Sequence, residues 1–222
     1  VDVPKNFIYV YNNSGDYSWT NTANWTPSAV PSNIDTAIIR SGEVKIATNF
    51  GGVVKVEPNG LFRITDSITA SDLRLQGGTL KSYTGTPVFV LTSTITVENA
   101  STLLVGSTVN SFLYLQSGIK GSGNLSKTGV GTLRINASAT NFSGKWIIKE
   151  GSVQLRNASG LGICGVEVDS AANLDIEIAS STYSLILKSG ATLNLDNNFT
   201  VQAAVFGNKN IPAGTYTSEN YP

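Results

Sequence analysis

The stretch Gly121–Gly162, GSGNLSKTGVGTLRINASATNFSGKWIIKEGSVQLRNASGLG, decides how the chain is read. It holds two short runs of alternating apolar residues, Leu133/Ile135 and Val153/Leu155. Each is entered through a glycine and a small polar residue, in GTLRI and GSVQL, and the two runs lie 20 residues apart. Alternation with period two is the signature of a strand with one buried face. A strand that returns after such an interval, with turn residues between, is the mark of one coil of a solenoid rather than of a hairpin.

Working outward, the same alternation recurs through VVKV at 53–56, GLFRI at 60–64, DLRLQ at 72–76, TITVE at 94–98, STLLV at 101–105 and FLYLQ at 112–116. Aligned on turn-plus-apolar positions, the series runs Leu61, Leu80, Leu103, Leu125, Leu133, Val153, Leu174 and Leu193. Its steps are 19, 23, 22, 8, 20, 21 and 19. Apart from the short step, which marks two strands in quick succession, the period is near 20. A β-sandwich, the alternative, has strands every 8–12 residues without long-range register. The spacing therefore predicts an all-β fold, a parallel β-helix, as a single domain. The expected parts are an N-terminal cap over 1–42, coils over 43–198 and a C-terminal cap over 199–222. Solenoid ends need covers. The first 40 residues supply bulky ones in Tyr9, Tyr11, Tyr17, Trp19 and Trp25. The competing reading makes those rings a sugar-stacking platform.

Composition removes several functions. Lys+Arg and Asp+Glu balance at 15 each, so no basic field points to nucleic acid or an anionic membrane. Only 14% of residues are charged, and no apolar run approaches a membrane-spanning helix. There is no histidine, which excludes His-based acid–base chemistry, His-containing triads and the common zinc sites. Cys164 is alone, so the chain forms no internal disulfide, and its Gly-Ile-Cys-Gly setting reads as a small buried filler. The lack of Met is read as a sign of a processed or excised piece of a longer protein. The string from Gly121 to Thr128 comes close to a phosphate-binding loop, but Ser126 stands where the glycine before the lysine belongs and no strand-to-helix context follows.

The motif Lys127-Thr-Gly129-Val-Gly131-Thr-Leu133, followed by Asn141-Phe142-Ser-Gly144 and Gly151-Ser-Val153, resembles the autotransporter-associated β-strand repeat. The run through Trp19, Trp25, Pro31, Asp35, Ala37 and Ile39 resembles the start of the same β-helical proteins. Together these matches cover roughly 70 of the 222 residues. The resemblance implies an extracellular, single-stranded, right-handed parallel β-helix and says little about activity. Trp146 departs from it, since that family has a small β-former there.

Two sets of outward residues are candidates for function. In FLYLQ, inward Leu113 and Leu115 direct Phe112 and Tyr114 outward; in PVFVL, inward Val88 and Val90 are expected to do the same to Phe89. With Tyr83, and flanked by Arg74, Gln76, Gln116 and Arg134, these rings are expected to form a flat strip for an extended glycan. Trp146 shares the parity of Ile148, which points it inward or to a corner, yet its rarity there keeps it a candidate. The second set is Glu167, Asp169, Asp175 and Glu177, expected outward with Val166, Val168, Leu174, Ile176 and Ile178 inward. These four carboxylates form either a calcium site or solvated charges. The set invites comparison with pectate-lyase-like enzymes, which are similar in architecture and use clustered acids with a basic residue.

The leading expectation is a non-catalytic carbohydrate-binding module of a secreted bacterial polysaccharide-degrading protein, similar to solenoid modules that bind plant-wall polymers such as xylan. It implies a polysaccharide partner, an adjoining catalytic domain, a monomer, no nucleic acid and no membrane insertion, with no cofactor unless calcium binds. An adhesin or autotransporter passenger segment and a polysaccharide lyase-like fragment are the alternatives.

Overall fold

Each turn of the chain lays down up to three short strands, and each strand hydrogen-bonds in parallel to its counterpart about 20 residues on. The computed structural model describes residues 2–10, 15–82 and 88–220, without the side chains of residues 88 and 89. The chain is an all-β solenoid of about 8 turns. A 17-stranded sheet carries two of its faces, continuous because long strands such as Thr36–Ile46, Phe50–Ile64 and Ser180–Leu187 run through both. A six-stranded sheet makes the third face from Val88–Leu91, Phe112–Leu115, Thr132–Ile135, Gly151–Leu155, Ala172–Ile176 and Thr192–Leu195, all parallel.

The interior consists of ladders of like residues. On the third face Leu113, Leu133, Val153, Leu174 and Leu193 stand in register, each under 10% exposed, with Leu115, Ile135, Leu155, Ile176 and Leu195 beside them. Burial of one such side chain contributes about 1.5–3 kcal/mol, and stacking makes every coil depend on its two neighbours.

At the N-terminal end Trp19, Trp25 and Tyr9 are 5%, 1% and 1% exposed, with edge-to-face contacts from Trp25 to Trp19 at 4.9 Å and to Tyr9 at 5.5 Å. The Trp25 indole donates to the Trp19 carbonyl and the Tyr9 hydroxyl to that of Glu43. These three buried rings form an aromatic cluster and offer no face to a sugar; Tyr17 is half-buried with the Lys45 ammonium over its ring, and Tyr11 lies outside the described residues. Asp35 completes the cap by accepting from the backbone of Lys5 and from both the backbone and hydroxyl of Ser32. Burial works to raise its carboxyl pKa, but these hydrogen bonds outweigh it and hold the value below the ordinary range.

Parallel stacking extends past the expected coil limits. Asn6–Tyr9 already pairs in parallel with Thr36–Ile46, and Phe199–Phe206 with Ser180–Leu187. At the far end the antiparallel strands Lys209–Ile211 and Gly214–Tyr216 fold back on Phe199–Phe206.

The register corrects the alignment of leucines in one instructive place. The ladder on the second face runs Val44, Phe62, Leu80, Leu103, Lys127, Ile148, Val168, Leu187 and Phe206. Leu61 pairs with Thr79 and is not a member, and Leu125 pairs with Ser101. The position expected of a leucine is filled by Lys127, 0% exposed. Its ammonium donates to the carbonyls of Gly129, Gly131 and Glu150, so all three N–H donors are used. The Glu150 carboxylate meanwhile accepts from the Gly129 backbone. Burial pushes the lysine pKa down to about 8, with Glu150 opposing. Gly151, at φ +68°, is required here: a Cβ would lie 2.4 Å from the ammonium and 2.6 Å from two of those carbonyls.

Candidate functional site on the six-stranded face

Outward residues of the third face fall into rows because the strands are in register. One row is Tyr114, Arg134, Gln154, Asp175 and Asn194. At about 4.8 Å per strand it spans about 19 Å, the length of a few sugar units. A parallel row begins with Phe112 and continues through Thr132, Ser152, Asn173 and Thr192. Alternation produces the first row, whose members are each flanked on both sides by buried Leu, Ile or Val of the ladders; in the second row each residue precedes a buried Leu or Val, and Thr132 is itself buried.

Arg134 organises the first half of this face. Its Nη1 donates to the Tyr114 hydroxyl, and its Nε donates to Gln154 Oε1 at 2.5 Å. The guanidinium carbon stands 4.4 Å from the centroid of Phe112 and 5.0 Å from that of Tyr114. The two rings are 6.5 Å apart and inclined by 31°. The expected bare aromatic strip is thus partly roofed by a cation held on the ring faces. One position further along, Asn136 donates to Gln116 at 3.2 Å.

In the second half the face becomes polar and concave. Gln154, Asp175, Glu177, Asn194, Asp196 and Ser218 line an open trough of about 530 Å³ over Leu193 and Leu195. Asn194 donates to Asp175 at 2.6 Å, and Glu177 pairs with Arg156 at 2.7 Å. Ser218, from the chain after the last strand, supplies one wall.

No family model, no curated relative and no solved structure matches the chain.

The face unites Phe112, Tyr114, Gln116 and Arg134 of the expected strip and leaves the others out. Arg74 and Gln76 lie on the 17-stranded sheet, where Arg74 pairs with Asp72 at 2.8 Å and Gln76 donates to Glu98 at 2.6 Å. Tyr83 lies outside the described residues, as does the side chain of Phe89. The backbone register nevertheless sets Phe89 opposite Leu113 and Val88 opposite Phe112, with Leu91 buried and Val90 half-buried.

Trp146 is 0% exposed, packed edge-to-face on Phe142 at 5.7 Å, with its indole nitrogen unpartnered. It fills the interior beside Leu125 and cannot stack on a ligand.

The acidic quartet is divided. Glu167 and Asp169 face outward from the 17-stranded sheet, where Lys145 and Lys188 bind Glu167 and Lys188 also binds Asp169. Hydrogen bonds from the two lysines pull the Glu167 carboxyl below its ordinary range, and those that Lys188 makes to Asp169 and then Glu167 push the lysine up. Asp175 and Glu177 belong to the other sheet. Val166, Val168, Leu174 and Ile176 are buried as expected, but Ile178 is 39% exposed. Among the described residues no group of three or more His, Cys, Asp or Glu is placed to hold a metal ion, so the calcium site is not formed by these four.

Sequence reading missed Gln154, Asn136, Asn194 and Asp196. The signal was available: stepping one residue on from Leu113, Leu133, Val153, Leu174 and Leu193 gives the whole Tyr114 row.

Proposed function

We propose that the six-stranded face binds an extended polysaccharide and does not process it. In this reading the chain is a non-catalytic carbohydrate-binding module of a secreted bacterial polysaccharide-degrading protein, adjoining a catalytic domain and taking a xylan-like polymer. The observation that carries it is the in-register row from Tyr114 to Asn194. It presents ring, guanidinium, amide and carboxylate groups in a line at a repeat of about 4.8 Å, ending in a trough. Such a surface suits a linear polymer of hydroxyl groups, which offers apolar ring faces to stack and donors and acceptors to pair.

The chemistry of the face supports binding over catalysis. Glu177 is ion-paired, Asp175 accepts from Asn194, and the chain has no histidine. Lys127, the one lysine with a strongly lowered pKa, is sealed inside the stack. Shallow contacts of this kind give modest affinity per site, raised by the length of the polymer.

Affinity electrophoresis against a panel of plant and algal polysaccharides tests the proposal. Retardation by one of them is expected, and Tyr114→Ala is expected to abolish it with an unchanged circular dichroism spectrum. Migration unaffected by every glycan refutes the proposal and leaves a spacer segment as the reading; release of shortened product indicates an enzyme.

A further inference from the structure

Five arginines occur in the chain, and four of them hold a carboxylate: Arg40 with Glu57, Arg63 with Glu43, Arg74 with Asp72, and Arg156 with Glu177. Arg134 is the exception. All fifteen acidic residues of the sequence lie among the described residues, and none forms an ion pair with it. Its positive charge is instead held by neutral groups, namely two ring faces, a hydroxyl and an amide.

Those contacts fix the guanidinium without using it up. Of its five N–H donors, Nε and one on Nη1 are engaged, leaving three on the two terminal nitrogens. Nη2 has no partner and is not among the buried polar atoms, so its two donors face solvent. A planar fork clamped on aromatic rings has lost its rotamer freedom before any ligand arrives, and a paired set of terminal N–H groups matches the two oxygens of an oxyanion. We propose that Arg134 is an anion-recognition site for an acidic substituent, a carboxylate or a sulfate ester, on the polysaccharide bound along this face. This inference rests on the polysaccharide reading above and narrows its ligand.

The rest of the row limits how that acid is distributed. Asp175 stands two strands on, about 10 Å away, and Asp196 lies beyond it in the trough. At that range a second negative group is still within about one Debye length of a carboxylate at 0.1 M salt. A polymer charged on every unit therefore meets repulsion in the trough while it satisfies Arg134. A neutral backbone with sparse acidic substituents meets only the favourable contact.

The test uses affinity electrophoresis of the whole chain in native glucuronoxylan, in the same polymer after carboxyl reduction, in polygalacturonate, and in a sulfated galactan before and after desulfation. Glucuronoxylan or the sulfated galactan is expected to retard the protein more strongly than its neutralised counterpart and more strongly than polygalacturonate. The arm that loses retardation on neutralisation tells carboxylate from sulfate. Arg134→Met is expected to cut the preference for the acidic polymer over its neutralised form by roughly 10- to 100-fold, the equivalent of a lost hydrogen-bonded charge, whatever it does to binding of both forms alike. Thermal unfolding of Arg134→Met and Arg134→Lys checks that the fold persists, and the lysine variant is expected to restore little, since it lacks the planar fork. Equal retardation by native and neutralised polymers, or an Arg134→Met variant that keeps the preference, overturns the anion site while the polysaccharide reading stands. No retardation in any gel overturns both.

Discussion

Lys127→Met is the most informative single change, because an ammonium in an aliphatic ladder makes the stability of the whole stack depend on pH in an unusual direction. Met matches the length of the lysine stem and restores an apolar rung between Leu103 and Ile148, but it leaves the carbonyls of Gly129, Gly131 and Glu150 without their donor. At about 1 kcal/mol for each lost partner, the variant is expected to be less stable by about 3 kcal/mol at pH 7. The pH term adds to this. Burial lowers the Lys127 pKa to about 8 in the folded chain, against an ordinary value of 10.5. Between those values the unfolded chain binds more protons than the native one, so native stability rises with pH through the window. A shift of that size gives a gain of about 2–3 kcal/mol between pH 7 and pH 10, and Lys127→Met lacks it. Urea titrations of both proteins at several pH values, followed by the fluorescence of the buried Trp19, Trp25 and Trp146, measure the difference. Taking the difference removes groups common to both chains. The gap is expected to widen to about 5–6 kcal/mol by pH 10. Parallel stability curves across that range would refute the reasoning, and so would a variant more stable than the parent at pH 7.

Gly151→Ala places a methyl against the same ammonium and carbonyls at a positive φ, and is expected to cost well over the ~1 kcal/mol typical of a backbone effect. Combined with Lys127→Met it is expected to cost less than the sum of the two, because the ammonium no longer collides; strict additivity in urea melts counts against a shared contact. Asp35→Asn removes a carboxylate whose pKa is held low in the cap. The parent's contribution from this group is present above the ordinary carboxylate pKa near 3.8 and is lost as pH falls through the lower folded value, so acid titration of the melting temperature should fall less steeply in the variant. Trp146→Phe deletes an indole nitrogen that has no partner and is expected to change stability by less than about 1 kcal/mol, whereas Trp146→Ala should cost about 3–5 kcal/mol. Neither should alter glycan retardation, and a loss in the folded Phe variant would place Trp146 in the binding surface after all.

The sequence by itself determined the solenoid. Alternation of apolar and polar residues says which side of each strand is buried, and recurrence near 20 residues says that the strands stack, because a buried ladder requires like residues at like positions in every turn. The aromatic cluster was legible from composition: Tyr9, Trp19 and Trp25 are bulky rings gathered between turn residues, outside the regular alternation of the coils.

Register was decided only by the tertiary structure. A difference of one residue moved Leu61 off its ladder, and of two replaced Leu125 by Lys127. The leucine series had joined two faces that meet between Thr128 and Thr132, and a one-dimensional alignment cannot see the corner. The acids of Glu167–Glu177 parted onto separate sheets for the same reason. That Tyr114, Arg134, Gln154, Asp175 and Asn194 share one surface is decided by each strand's partner, since the hydrogen bonds that set coil upon coil place side chains 20 residues apart within about 5 Å of one another.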